Sequence, residues 1–255
     1  MGPRSPPRSS LSLNGREKEA VALASPVQLT SPLGREMVAP LETRMSAKTD
    51  TILGYARLAP VIPVVTIEDA RRSIDLAQAF VAAGLPVIEV TLRTGAALDA
   101  IAAIAKAVPE AVVGAGTVAQ AAQIREVVDA GAKFIVSPGT PPRLAEALAA
   151  APVPVLPGCS TATEAMTLAD LGFEVLKFFP AEASGGVAWL KAVAGPLPGL
   201  RFCPTGGLSP GNAPGYLALP NVVCVGGAWM APPKAIADGD FATIERLSRE
   251  AAALR

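Results

Sequence analysis

The chain has 255 residues, 51% of them hydrophobic and 17% charged, with 22 basic and 22 acidic side chains and a formal net charge of +0. That apolar content supplies a core and excludes a disordered chain, the scattered, balanced charge leaves no electrostatic footprint for nucleic acid, and no run reaches the roughly 18 uncharged apolar residues of a membrane span. There is no histidine, which removes Ser-His-Asp and Cys-His nucleophiles, His-ligated zinc and imidazole acid–base chemistry together.

Residues 1–44 carry Pro3, Pro6, Pro7, Pro26, Pro32 and Pro40 among Ser, Arg and Gly without a sustained period, and read as a disordered N-terminal extension. Ordered-looking sequence starts just after Met45, which is the expected natural start of a folded domain spanning 45–255. A first helix is expected over Thr49–Leu58. From there β-branched runs alternate with Ala/Leu-rich segments, the signature of βα units and a parallel sheet. The expected strands are Val61–Val65, Val87–Val90, Val112–Gly114, Phe134–Val136, Val153–Leu156, Glu174–Phe178, Leu200–Cys203 and Val222–Val225. Helices are expected over Glu68–Ala83, Ala96–Ala107, Ala119–Ala130 and Thr161–Leu171, with Phe241–Leu254 last. Eight units in about 200 residues close into a (β/α)8 barrel. An open doubly wound sheet would want a G-x-G-x-x-G fingerprint after its first strand, and Gly114-Ala115-Gly116 follows the third run instead. Cys159, Cys203 and Cys224 lie in or beside apolar runs, as buried thiols of a reducing, cytoplasmic compartment would.

A barrel builds its active site at the C-terminal ends of its strands. The polar residues there are Glu89, Arg93, Thr117, Ser137, Ser160, Lys177 and Thr205, with Gly206-Gly207 and Gly226-Gly227 after the seventh and eighth runs. Lys177 sits between Val175-Leu176 and Phe178-Phe179. Desolvation there favours the neutral amine that attacks a carbonyl, and an interior ion pair with Glu89 is the alternative. Glu89 ends the second run, and even-numbered strands share layers of a barrel interior, so a carboxylate and an amine can face one another. Glu89 is then the general acid–base or merely the neutralising partner. Arg93 lies in the loop above, where a guanidinium can grip a carboxylate, and Thr117 adds a hydroxyl beside glycines. Paired glycines in both late loops favour a phosphorylated substrate held by backbone N–H groups, with plain tight turns as the other reading.

Taken together, Glu89-Val90-Thr91-Leu92-Arg93-Thr94, Gly114-Ala115-Gly116-Thr117-Val118, Ser137-Pro138-Gly139, Lys177-Phe178-Phe179-Pro180-Ala181-Glu182, Arg201-Phe202-Cys203-Pro204-Thr205-Gly206-Gly207 and Gly226-Gly227 resemble the 2-keto-3-deoxy-6-phosphogluconate aldolase / 4-hydroxy-2-oxoglutarate aldolase family, from about Thr49 to the C-terminus. The resemblance implies a metal-independent, cofactor-free homotrimeric barrel that forms a pyruvate Schiff base on Lys177. It implies Glu89 as proton shuttle, Arg93 and Thr117 on the keto-acid carboxylate, Pro138 and Phe179 as pocket walls, and the phosphate end near Thr205, Gly206, Gly207, Gly226 and Gly227. Ala228 stands where the family commonly has a phosphate-contacting Ser, a change expected to weaken binding by about 1.5–3 kcal/mol.

The implied reaction is cleavage of 2-keto-3-deoxy-6-phosphogluconate to pyruvate and D-glyceraldehyde 3-phosphate, the Thr-Leu-Arg-Thr stretch favouring the gluconate over the galactonate branch. The competing readings are 4-hydroxy-2-oxoglutarate cleavage to pyruvate and glyoxylate, and a non-catalytic trimer that binds phosphorylated metabolites. Pentose-phosphate epimerase barrels share only the fold and rely on histidine-held metal.

Overall fold

A computed structural model describes residues 1–2 and 41–254. The extension expected over 1–44 lies outside the described residues apart from Met1, Gly2 and the first turn of a helix that opens at Leu41, earlier than the expected Thr49. That helix, α1 (Leu41–Arg57), precedes strands β1 (Val61–Val65), β2 (Val87–Thr91), β3 (Val112–Gly116), β4 (Ile135–Val136), β5 (Val155–Leu156), β6 (Gly158–Cys159), β7 (Val175–Phe178), β8 (Arg201–Pro204) and β9 (Val225–Gly227). Between and after them run α2 (Ser73–Ala82), α3 (Ala97–Ala107), α4 (Ala121–Asp129), α5 (Pro142–Ala149), α6 (Ala162–Asp170), α7 (Gly186–Ala194), α8 (Ala213–Leu217), α9 (Pro233–Asp238) and α10 (Phe241–Ala252).

The strands pair in parallel in the order β5-β4-β3-β2-β1-β9, with a second sheet β6-β7-β8. β5 and β6 are two halves of one barrel position separated by Pro157, whose missing N–H cannot continue the ladder. β5 pairs back to β4 and β6 forward to β7. The barrel closes between β8 and β9 through two isolated bridges, Phe202 with Val222 and Thr205 with Gly226. One side of that closure carries an extra residue between the bridges, which is the spacing of a bulge. It also explains why the last strand is Val225–Gly227 rather than the expected Val222–Val225. The segment expected as one helix over Glu68–Ala83 divides, because the Asp69 side chain accepts from Arg71 N–H and starts a 3-10 turn over Ala70–Arg72 before α2.

Two apolar layers follow from the strand period of two. Val61, Val65, Ile88, Val90, Ile135, Leu176, Phe178 and Phe202 point outward against helix residues such as Phe80, Ile101, Leu148 and Leu190. The alternate positions Ile62, Val87, Phe134, Val136, Leu156, Val175, Cys203 and Cys224 fill the lumen together with Ile52 and Ala56 of α1. α1 therefore plugs the end of the barrel where the strands begin, with Tyr55 and Phe134 rings 6.2 Å apart. These apolar side chains line the floor, and the Glu89–Lys177 pair enters the lumen above them. Among the described residues no helix is long and apolar enough to cross a membrane.

Because Ile52 is 4% exposed within the lumen cluster, Ile52→Ala is expected to destabilise the protein by about 2–4 kcal/mol, measured by denaturant unfolding.

Candidate active site

The first polar layer above the plug is set by register. Val64 of β1 stands opposite Glu89 of β2, and Glu89 opposite Gly114 of β3. Across the lumen Lys177 of β7 lies between Gly158 of β6 and Cys203 of β8. Lys177 Nζ donates to both carboxylate oxygens of Glu89, at 2.8 and 3.0 Å. The two residues are 4% and 3% exposed. Leaving one such group without the other in a dry interior is costly, so each side chain is held in place by its partner. The amine also stands 5.5 Å from the centre of the Phe179 ring.

Glycine makes the room. A Cβ at Gly116 would lie 2.2 Å from Glu89 Oε1, so the carboxylate rests over a position that tolerates no side chain. A Cβ at Gly158 would come within 2.5 Å of the Ser137 and Pro138 carbonyl oxygens. Ser137 Oγ accepts from Gly158 N–H at 3.1 Å and bonds Thr140 Oγ1 at 2.8 Å, while Thr140 Oγ1 donates to the Gly158 carbonyl at 2.8 Å. Ser160 is likewise occupied structurally, its N–H and hydroxyl both donating to Glu164 at the start of α6. Of the hydroxyls singled out from the strand ends, that of Ser137 therefore holds backbone and that of Ser160 a helix-capping carboxylate.

The Phe179 ring beside the amine also lines a pocket of about 520 Å³ whose wall brings together Arg93, Thr205, Gly206, Gly207, Gly226 and Gly227, with Ala228 and Trp229. The Thr205 hydroxyl lies over Gly226, where a Cβ would be 2.3 Å away, and the Trp229 ring covers Gly227 with a would-be Cβ at 2.0 Å. Gly206 and Gly207 have φ of 99° and 78°, a left-handed backbone that side chains disfavour. Thr117 and Pro138 are not part of that wall. Pro138 lines a separate cavity of about 590 Å³ with Thr140 and Thr163. Thr117 follows β3 with φ 60°, and such a conformation in a β-branched residue costs of order 1–3 kcal/mol and clusters at functional sites.

A hydroxyl pair escaped the sequence reading. Thr66 and Thr91 Oγ1 atoms are 3.0 Å apart, and the buried Thr91 donates to the Val65 carbonyl at 3.1 Å. Thr91 is two residues beyond Glu89 on the inward face, so strand alternation was the signal for it. All three cysteines are buried thiols. Burial, with a smaller contribution from Glu164, pushes Cys159 up to about 12 and keeps it protonated. Among the described residues no group of three or more His, Cys, Asp or Glu side chains gathers to hold a metal.

A parallel barrel with a lysine and a carboxylate paired beneath its open end has the fold of the (β/α)8 class I aldolases. The family described as KDPG and KHG aldolase matches residues 52–247, and the chain belongs to that family. The KHG/KDPG aldolase of Escherichia coli K12 is 51% identical over 192 residues, 75% of this chain and 90% of that protein. Among solved structures, the KDPG aldolase of Legionella pneumophila, with pyruvate captured as a covalent carbinolamine intermediate, superposes with a TM-score of 0.77 at 40% identity, covering 79% of this chain and 98% of the other. The 2-keto-3-deoxy-6-phosphogluconate aldolase of Zymomonas mobilis ZM4 with 3-phosphoglycerate gives 0.76 at 45% identity, covering 81% and 97%.

Since an added methyl at Gly116 displaces the Glu89 carboxylate, Gly116→Ala is expected to lower kcat for aldol cleavage roughly hundredfold while the circular dichroism spectrum stays that of a folded barrel.

Proposed function

We propose that this protein cleaves 2-keto-3-deoxy-6-phosphogluconate to pyruvate and D-glyceraldehyde 3-phosphate through an imine on Lys177. The observation that carries the reading is the buried contact of Lys177 Nζ with both oxygens of Glu89, beside the Phe179 ring that lines the pocket. An amine in that position has a proton acceptor within 2.8 Å and a largely dry setting, the two conditions a nucleophilic lysine needs.

Lys177 Nζ attacks the C2 ketone, and loss of water from the carbinolamine leaves a protonated imine. Glu89 takes the proton of the C4 hydroxyl as the C3–C4 bond breaks, and the bonding pair flows into the imine to give an enamine. The aldehyde departs with its phosphate. Glu89 returns the proton to C3, and water hydrolyses the imine to free pyruvate and the amine. Arg93 holds the keto-acid carboxylate, Phe179 walls the pyruvate portion, and Thr205 with the two glycine pairs receives the phosphate; Thr117 and Pro138, to which the resemblance gives the carboxylate and the other pocket wall, stand off the wall that gathers these residues. The reaction needs no metal or organic cofactor. The carbinolamine in the Legionella neighbour and the 3-phosphoglycerate in the Zymomonas neighbour support the covalent step and the phosphorylated ligand respectively.

The second substrate, 4-hydroxy-2-oxoglutarate, is favoured by Ala228, which offers no hydroxyl at the pocket wall, and by the E. coli relative named for both activities. We read the assembly as a homotrimer working in the cytoplasm. Support for symmetric assembly comes from a designed cage built by fusing symmetric oligomeric domains, 26% identical to this chain.

Borohydride reduction in the presence of pyruvate is expected to fix a covalent adduct on Lys177, read by peptide mass spectrometry. Lys177→Ala should abolish adduct and turnover, and persistence of either rejects the mechanism. Glu89→Gln is expected to reduce kcat by about 10²–10⁴-fold, measured by coupling pyruvate release to lactate dehydrogenase on both substrates.

A further inference from the structure

Glu182, Asn212 and Tyr216 stand behind the pocket wall, yet all three converge on the loop that carries Gly206 and Gly207. Ala181 N–H donates to the Thr205 carbonyl at 2.8 Å and Glu182 N–H to the Gly206 carbonyl at 3.2 Å. Asn212 Nδ2 donates to the Gly207 carbonyl at 3.1 Å. The carbonyls of Gly206 and Gly207 are thus turned back into the protein. In a trans peptide a carbonyl and the N–H that follows it point in opposite directions. The N–H groups of Gly207 and Leu208 are therefore turned away from Glu182 and Asn212, toward the pocket that these same residues line. Successive N–H groups turned to one side make a concavity for anions.

Glu182 is itself fixed. Its Cβ and Cγ would lie 2.7 Å from a Cβ at Gly207, so the side chain packs directly against that residue's backbone. The Tyr216 hydroxyl donates to Glu182 Oε1, and Tyr216 is 1% exposed. Burial, reinforced by the Glu182 bond, holds the phenol above its usual range, so it stays a donor. Asn212 has a second tie, its Oδ1 accepting from Ser209 N–H at 2.8 Å.

We propose that Asn212 and the Glu182–Tyr216 pair are positioning residues for the anionic end of the substrate, acting through the peptide planes that present the Gly207 and Leu208 N–H groups. The proposal rests on the aldolase reading above and adds to it the residues that set affinity for a phosphorylated over an unphosphorylated substrate. None of the three touches the reacting carbons, so the chemical step is independent of them.

The test compares steady-state cleavage of 2-keto-3-deoxy-6-phosphogluconate and of 4-hydroxy-2-oxoglutarate by the full chain carrying Asn212→Ala or Tyr216→Phe. Each variant is expected to raise KM for the phosphorylated substrate about tenfold, leaving its kcat, both constants for the unphosphorylated substrate, and borohydride trapping of pyruvate as in the wild type. An equal rise in both KM values, or no rise in either, overturns the proposal. Should Tyr216→Phe lose thermal stability, the half-buried Asn212→Ala decides alone. A wild-type protein that traps no pyruvate would overturn the aldolase reading itself, and this inference with it.

Discussion

The arrangement depends on one contact, an amine and a carboxylate held 2.8 Å apart inside a protein lumen. A buried ion pair is a poor source of stability, since desolvation offsets most of its attraction, and it persists where each partner needs the other. In the proposed mechanism the need is chemical. A lysine free in solvent would carry a permanent charge, and one buried without a partner would cost the fold several kcal/mol. Opposite Glu89 it has both a neutraliser and a route for its proton. The remainder of the site consists of what keeps those two atoms together and what lets a ligand reach them.

Below the pair, Ile52 and Ala56 of α1 pack in the lumen with Phe134, Val136 and Leu156. Beside it, Gly116 and Gly158 withhold the side chains that would fill the cup. Above it, loops after β8 and β9 supply backbone groups in place of charged side chains. Oriented amides reorganise little when an anion arrives, and the mouth consequently combines one guanidinium, from Arg93, with glycine backbone.

Much of this was legible in the residues. The alternation of β-branched and Ala/Leu-rich runs, and the even-numbered positions of the strands bearing Glu89 and Lys177, place the two side chains in one lumen without coordinates. Paired glycines after the seventh and eighth runs mark the loops of the pocket wall. Features set by individual side-chain contacts stayed hidden. No local pattern announces that Asn212 reaches back to the Gly207 carbonyl or that Tyr216 meets Glu182. Thr117 carries a residue type that argues against its left-handed backbone, and the Thr66–Thr91 pair needs the register of β1 on β2. Ser137 and Ser160 looked like chemistry because position cannot distinguish a hydroxyl facing a ligand from one bonded within the protein.

The break at Pro157 divides the wall into a six-stranded and a three-stranded piece, joined elsewhere by two bridges between β8 and β9. Glu89 belongs to the larger piece and Lys177 to the smaller, which makes their contact a rivet spanning the hollow from one panel to the other. In the proposed cycle the lysine nitrogen is taken up by the substrate carbon at every turnover, so the rivet is drawn and reset each time. One of the fastenings that couple the two panels, beside the two bridges, is thus the group that does the chemistry.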